Sequence, residues 1–145
     1  MNFKEVIIAR GHPNITARHK TTFELTREKE VTTTGDCIVG VEADKGACDI
    51  SPQLKDHLLE GGKVDMEFIL PQYGLKECIS GYGSNKLIFS HQTDIVVRKS
   101  GYVCGRTLAV NADKASADFN REIAGLLVDP ETEIEFIVGF NDKKI

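Results

Sequence analysis

Two histidines occupy matching places in two copies of one pattern. His19 lies in "ARHKTT" and His91 in "FSHQTD", and each is followed two residues later by a threonine, Thr21 or Thr93. Around the first, Ile15, Ala17, His19, Thr21, Phe23 and Leu25 alternate with polar residues. Around the second, Leu87, Phe89, His91, Thr93, Ile95 and Val97 do the same. A period of two describes a half-buried strand. An imidazole on the apolar face of such a strand is either packed or lining a cavity, and an unpaired buried ring nitrogen costs about 1–3 kcal/mol. Two such rings meeting from opposite halves could bind an anion or move a substrate proton. The plainer reading is a core histidine bonded to a threonine hydroxyl or a carbonyl. A two-histidine metal centre needs a carboxylate as well, and none shares that face, so no metal is expected.

The second chemical pattern is Val-x-Ala-Asp-Lys, at residues 41–45 and again at 110–114. It places Asp44 and Lys45, and Asp113 and Lys114, between a strand and a helix, where exposed amides favour negative charge. A lysine there could hold a phosphate or carboxylate, or the aspartate could simply cap free amides. Residues present in one copy only are the asymmetric candidates. Arg10, His12 and Asn14 crowd the turn "GHPN", Asp36 follows Gly35 at the start of a strand, and Arg106 stands where the first copy has Cys37. An arginine at that position calls for an acidic partner such as Asp36. No glycine-rich phosphate loop, nucleophile elbow or His-Glu-x-x-His spacing is present.

The elements that would position these residues are themselves written twice. Residues 3–25 match 75–97 without a gap at Lys4/Lys76, Glu5/Glu77, Ile7/Ile79, Gly11/Gly83, His19/His91 and Thr21/Thr93. Residues 41–59 align with 110–128, and "VDMEFIL" with "TEIEFIV". Searching for such periods comes before assigning elements, and it divides the chain into repeats 3–70 and 75–138. Each repeat reads as a short strand (Val6 to Ala9 in the first), a Gly/Pro/Asn turn, an alternating strand, and a third strand (Asp36 to Ala43, Val103 to Ala112). A helix and a final strand complete β-β-β-α-β. The first helix begins at Ser51-Pro52 and stops at Gly61-Gly62. The second has helical spacing from Ala115 through Phe119, Ile123 and Leu126, closed by Pro130. The expected fold is α+β and rich in strands: about ten strands in a pseudo-two-fold barrel or sandwich, with two helices over its open ends. Seventy residues make a marginal core, so the halves are expected to share one interior within a single domain, 1–145.

The totals narrow the function. A net charge of −4 argues against a general nucleic-acid binder, although residues 1–29 sum to +3 and leave −7 for the rest. No apolar run approaches a membrane span, and the run after Met1 is too short for a signal peptide. Cys37, Cys48, Cys78 and Cys104 form no Cys-x-x-Cys pair and read as free thiols of a reducing compartment.

At "ARGHPNITARHKTT", "GDCIVGVEADK" and "GRTLAVNADKASADF" the chain resembles an archaeal family described as a domain of unknown function. The resemblance implies an archaeal, cytoplasmic protein. It carries no activity, cofactor or catalytic residue with it, so the residues must speak for themselves. Three functions follow from them. The first is a pocket near the pseudo-two-fold axis that binds or transforms a small anionic molecule, using the histidines, threonines and lysines. The second is an RNA-associated protein with a basic stripe of Arg10, His12, Arg18 and Lys20. The third is a non-enzymatic scaffold that forms a homo-oligomer through Ile88 and Val96.

Overall fold

The computed structural model describes residues 1–144. Among these the chain runs β1 (Phe3–Arg10), β2 (Thr22–Thr26), β3 (Ile38–Gly40), α1 (Pro52–Leu59) and β4 (Lys63–Leu70), then β5 (Leu75–Tyr82), β6 (Asp94–Arg98), β7 (Thr107–Ala109), α2 (Arg121–Leu126) and β8 (Glu133–Phe140). Among the described residues the class is α+β, with eight strands in two four-stranded sheets and no closed barrel. The first sheet has the order β1-β8-β4-β5 and the second β3-β2-β6-β7. The sandwich alternative therefore stands and the barrel does not. Phe23 of the second sheet packs edge-on against Phe136 of the first at 5.7 Å, and Phe68 and Phe119 complete the aromatic centre of the shared core.

Both halves contribute to both sheets, alternating in the first and lying side by side in the second. In the first sheet β4 and β8 run antiparallel with Phe68 opposite Phe136. In the second β2 and β6 run antiparallel with Glu24 opposite Val96. One residue of each pair comes from each half, so the centre of each sheet lies where the halves meet.

Three sequence expectations are corrected by this geometry. The long alternating strands shrink to five residues each, because Ala17 (φ 49°) and Phe89 (φ 52°) adopt left-handed backbone and break the extended run. Residues 15–20 and 87–93 keep alternating burial without pairing in a sheet, and the strands number eight, the four of each β-β-β-α-β unit, in place of about ten. The third strands shorten to Ile38–Gly40 and Thr107–Ala109. The second helix starts later than Ala115: residues Ser116–Asp118 form a 3-10 turn, and α2 begins at Arg121 with Asn120 as its cap, Oδ1 accepting from Glu122 N at 2.8 Å. The start of α1 is as expected, with Ser51 Oγ accepting from Leu54 N at 3.3 Å.

Gly11 sits in a turn that leaves no room for a side chain. A Cβ added there would overlap the main-chain carbonyls of Asp129 and Leu127, and His12 N donates to Leu127 O at 2.9 Å across the same contact. No helix among the described residues is long and apolar enough to cross a membrane.

Candidate functional site

The repeated Asp-Lys pair turns out to be a clasp. Asp44 Oδ1 accepts from Ile8 N at 3.0 Å while Asp44 N donates to Ile8 O at 3.0 Å; Asp113 makes the same pair with Ser80. Both aspartates therefore satisfy the free edge of a strand, β1 or β5, rather than the start of a helix as the capping reading expected. Lys45 Nζ lies 3.1 Å from the buried Glu5, and Lys114 Nζ 2.6 Å from the buried Glu77. Those carboxylates also accept from Ser51 N and Asn120 N, the helix caps. A carboxylate inside the core needs this many donors, since a buried charge is tolerated only when paired and hydrogen-bonded. Each lysine is spent on closing strand to helix, which takes it out of the role of free cation.

The histidines are likewise occupied on one side. His19 Nδ1 accepts from Thr21 N at 3.2 Å and Thr22 N at 3.1 Å, and His91 Nδ1 from Thr93 N at 3.3 Å and Asp94 N at 2.9 Å. With Nδ1 accepting, the neutral ring carries its proton on Nε2. Neither ring is enclosed: the His91 side chain is 39% exposed. The rings thus cap the entries to β2 and β6 and do not line a common interior cavity, which corrects their expected convergence. The reason is the left-handed break at residues 17 and 89, which takes His19 and His91 out of the sheet. Thr21 is exposed, and Thr93 Oγ1 donates to Asp94 Oδ1 at 3.0 Å.

His12 Nδ1 accepts from Asn14 N at 3.0 Å, His12 Nε2 sits 3.3 Å from Glu30, and Asn14 Nδ2 donates to Val31 O at 2.9 Å. The "GHPN" turn is knitted to the 29–31 loop, beside an open cavity of about 330 Å³ that its residues share with Lys29 and Glu42. Arg10 is exposed at the end of β1, and its main chain pairs with Val41. Asp36 acts through its carbonyl, which accepts from Arg18 N, His19 N and Ser116 Oγ. Arg10, Arg18 and Lys20 are exposed but share no strand, and His12 is turned inward, so the basic stripe is not a strand face. Val96, which the oligomer reading needs on the surface, is 2% exposed in the middle of β6; Ile88 is exposed.

What the structure does assemble at the centre of the second sheet is a cluster around Glu24. Phe23 and Leu25 point into the sandwich, so alternation turns Thr22, Glu24 and Thr26 to the opposite face, beside Asp94, Val96 and Arg98 of β6. Glu24 is only 5% exposed. Arg106 Nη1 reaches its Oε1 at 3.1 Å and Asp94 Oδ2 at 3.2 Å, so one guanidinium serves two carboxylates, and neither is the Asp36 expected from sequence. Thr26 Oγ1 donates to Asp94 Oδ1 at 2.8 Å, and His91 Nε2 stands 4.0 Å from Asp94 Oδ2. Burial, then the neighbouring Asp94 charge, push the Glu24 carboxyl up to about 7, more than Arg106 and Arg98 pull it down.

A thiol adjoins the cluster. Arg98 Nη2 approaches Cys104 Sγ at 3.3 Å, and Arg98 Nε donates to Thr107 Oγ1 at 3.0 Å. Cys104 N also donates to Thr107 Oγ1, at 3.1 Å, so the threonine's own proton is free to face Sγ at 3.7 Å. Burial works to raise the Cys104 thiol, but hydrogen bonds from the Arg106 main chain, Thr107, Arg98 and the Arg106 side chain outweigh it and bring the thiol down to about 7. Cys37 goes the other way: burial, with Glu24 beside it, pushes its thiol up to about 11.

Sequence reasoning singles out Arg106 as an arginine in need of an acidic partner but does not single out Glu24, Asp94, Arg98 or Cys104. Alternation by itself sets Glu24 on the polar face of its strand. The available signal was the clustering of Asp94, Arg98, Cys104 and Arg106 where the first half carries Thr22, Thr26, Gly35 and Cys37.

Comparison with known proteins agrees with the family resemblance seen in the sequence. The chain is 47% identical over 118 residues to the "uncharacterized protein MJ0206" of Methanocaldococcus jannaschii, a match covering 81% of this chain and 86% of that protein. The profile of a family described as "Domain of unknown function (DUF371)" matches residues 7–141. Since that match takes in nearly the whole chain, the protein belongs to this DUF371 family.

Proposed function

We propose that the face of the second sheet around Glu24, Asp94, Arg106 and Arg98 is a small-molecule site for an anion, and that its occupancy is tied to a proton on Glu24. The observation that carries this reading is the buried Glu24 carboxyl with its pKa near 7, bonded to an Arg106 side chain that is 40% exposed. Near neutral pH the cluster holds two arginines against Asp94 and a half-ionised Glu24. An arriving anion tips the balance toward the protonated glutamic acid. Ligand affinity then falls as pH rises through 7, because ionised Glu24 competes with the ligand for Arg106. A group that exchanges a proton in this range, within reach of a bound molecule, is also what general acid–base chemistry requires.

The reading is tested by titrating acetate and sulfate, both fully ionised between pH 6 and 8, into the protein by calorimetry in buffers of different ionisation enthalpy. Binding at pH 7 should take up a proton and should be tighter at pH 6 than at pH 8. Glu24→Gln should abolish proton uptake, and Arg106→Gln should weaken binding at least tenfold. If neither anion binds, or binding is indifferent to both substitutions, the proposal fails.

A further inference from the structure

A second cavity, sharing no residue with the Glu24 cluster, lies between the Thr16–Arg18 segment and α2. It is an open groove of about 280 Å³. Ile15, Ala124 and Val128 give it apolar walls, Arg18 and Arg121 give it charge, and no carboxylate lines it. Two observations bear on what it takes. Among the described residues, Thr16 Oγ1 is the buried side-chain polar atom that has no hydrogen-bond partner, and buried polar atoms are rarely left so. The second is the state of the arginines. Arg121 is pinned by four carbonyls: Nε donates to Phe119 O, Nη1 to Ala17 O, and Nη2 to Ser116 O and Ala117 O. This fixes the guanidinium, leaves one Nη1 hydrogen unspent, and supplies no negative charge. Arg18 is exposed and ion-paired to no described carboxylate.

We propose that this cavity binds a small carboxylate or phosphate carrying a short apolar group. The anionic end lies between Arg18 and the free Nη1 hydrogen of Arg121, the Thr16 hydroxyl gains a partner, and the apolar group rests on Ile15, Ala124 and Val128. Guanidinium forks suit both anions, so the class is set by the charge and the small volume. The site draws on both halves and has no repeat-related twin. At the repeat-matched positions stand Ile88, Ser90 and Pro52 in place of Thr16, Arg18 and Arg121, and these supply no charge.

The test follows the Thr16 and Gly125 amide resonances while butyrate, butyl phosphate, n-butanol or chloride is added at constant ionic strength. Saturable shifts are expected with butyrate or butyl phosphate, the tighter of the two identifying the anion, and none with n-butanol or chloride. Arg18→Gln alters an exposed side chain and should weaken binding at least tenfold. Gly125→Leu, at a position where an added Cβ meets nothing within 4 Å and where leucine favours the helix, should block the cavity while keeping both arginines. Shifts that do not saturate, that chloride reproduces, or that survive both substitutions would overturn the proposal.

Discussion

Replacing Glu24 by glutamine should change how stability depends on pH. Folding lifts this carboxyl from 4.5 to about 7, so between those values the folded chain binds the proton more strongly than the unfolded chain. Stability therefore falls as pH rises across that window, the reverse of an acid whose folded pKa is depressed. A displacement of roughly two and a half pH units corresponds to about 3 kcal/mol at 1.36 kcal/mol per unit, and burial of Glu24 leaves little screening to reduce it. The whole penalty is present above pH 7 and absent below pH 4.5. Glutamine keeps the shape and cannot ionise, so the variant lacks this term. The assay is urea denaturation of both proteins at half-unit steps from pH 4.5 to 8. The difference in unfolding free energy, variant minus wild type, should climb by about 3 kcal/mol across the range and then level off. Other groups that titrate in this range cancel in the difference. A flat difference would mean that Arg106 fully compensates the charge, and the reasoning behind the Glu24 site would be refuted with it.

Two further outcomes follow from the structure. Iodoacetamide should modify Cys104 with a midpoint near pH 7 while Cys37 stays unmodified there, read by peptide mass spectrometry; equal rates at pH 7 would contradict the thiolate-stabilising contacts of Arg98 and Thr107. Gly11→Ala should lower stability by about 1–3 kcal/mol, the usual cost of overpacking, because its methyl group meets the Asp129 and Leu127 carbonyls; an unchanged melting temperature would show that the α2–β8 loop yields freely.

Much of the local structure is written in short-range signals. Ser51-Pro52 declares a helix start because a hydroxyl cap and a preset φ act within one turn, and α1 begins there. The order of elements in both halves is legible for the same reason, since the period of burial and the Gly and Pro breaks depend on neighbours along the chain. The repeated Ala-Asp-Lys was visible too, but its work was not. That Asp44 answers Ile8 N and Lys45 answers Glu5 depends on β1 being an edge strand whose outer amides lack a partner, and only the assembled sheet makes it one. His19 and His91 were misplaced because alternating burial looks the same in a paired strand and in an extended segment broken by one left-handed residue. The Glu24 cluster lay furthest from view. Its charge sits on what reads locally as a solvent face, and it became buried because Arg106, from residues more than eighty positions away, closes over it. Sequence determines which residues can turn, cap and alternate; tertiary packing alone decides which charges lose their water, and desolvation is what moves a carboxyl or a thiol into the range where it can do chemistry.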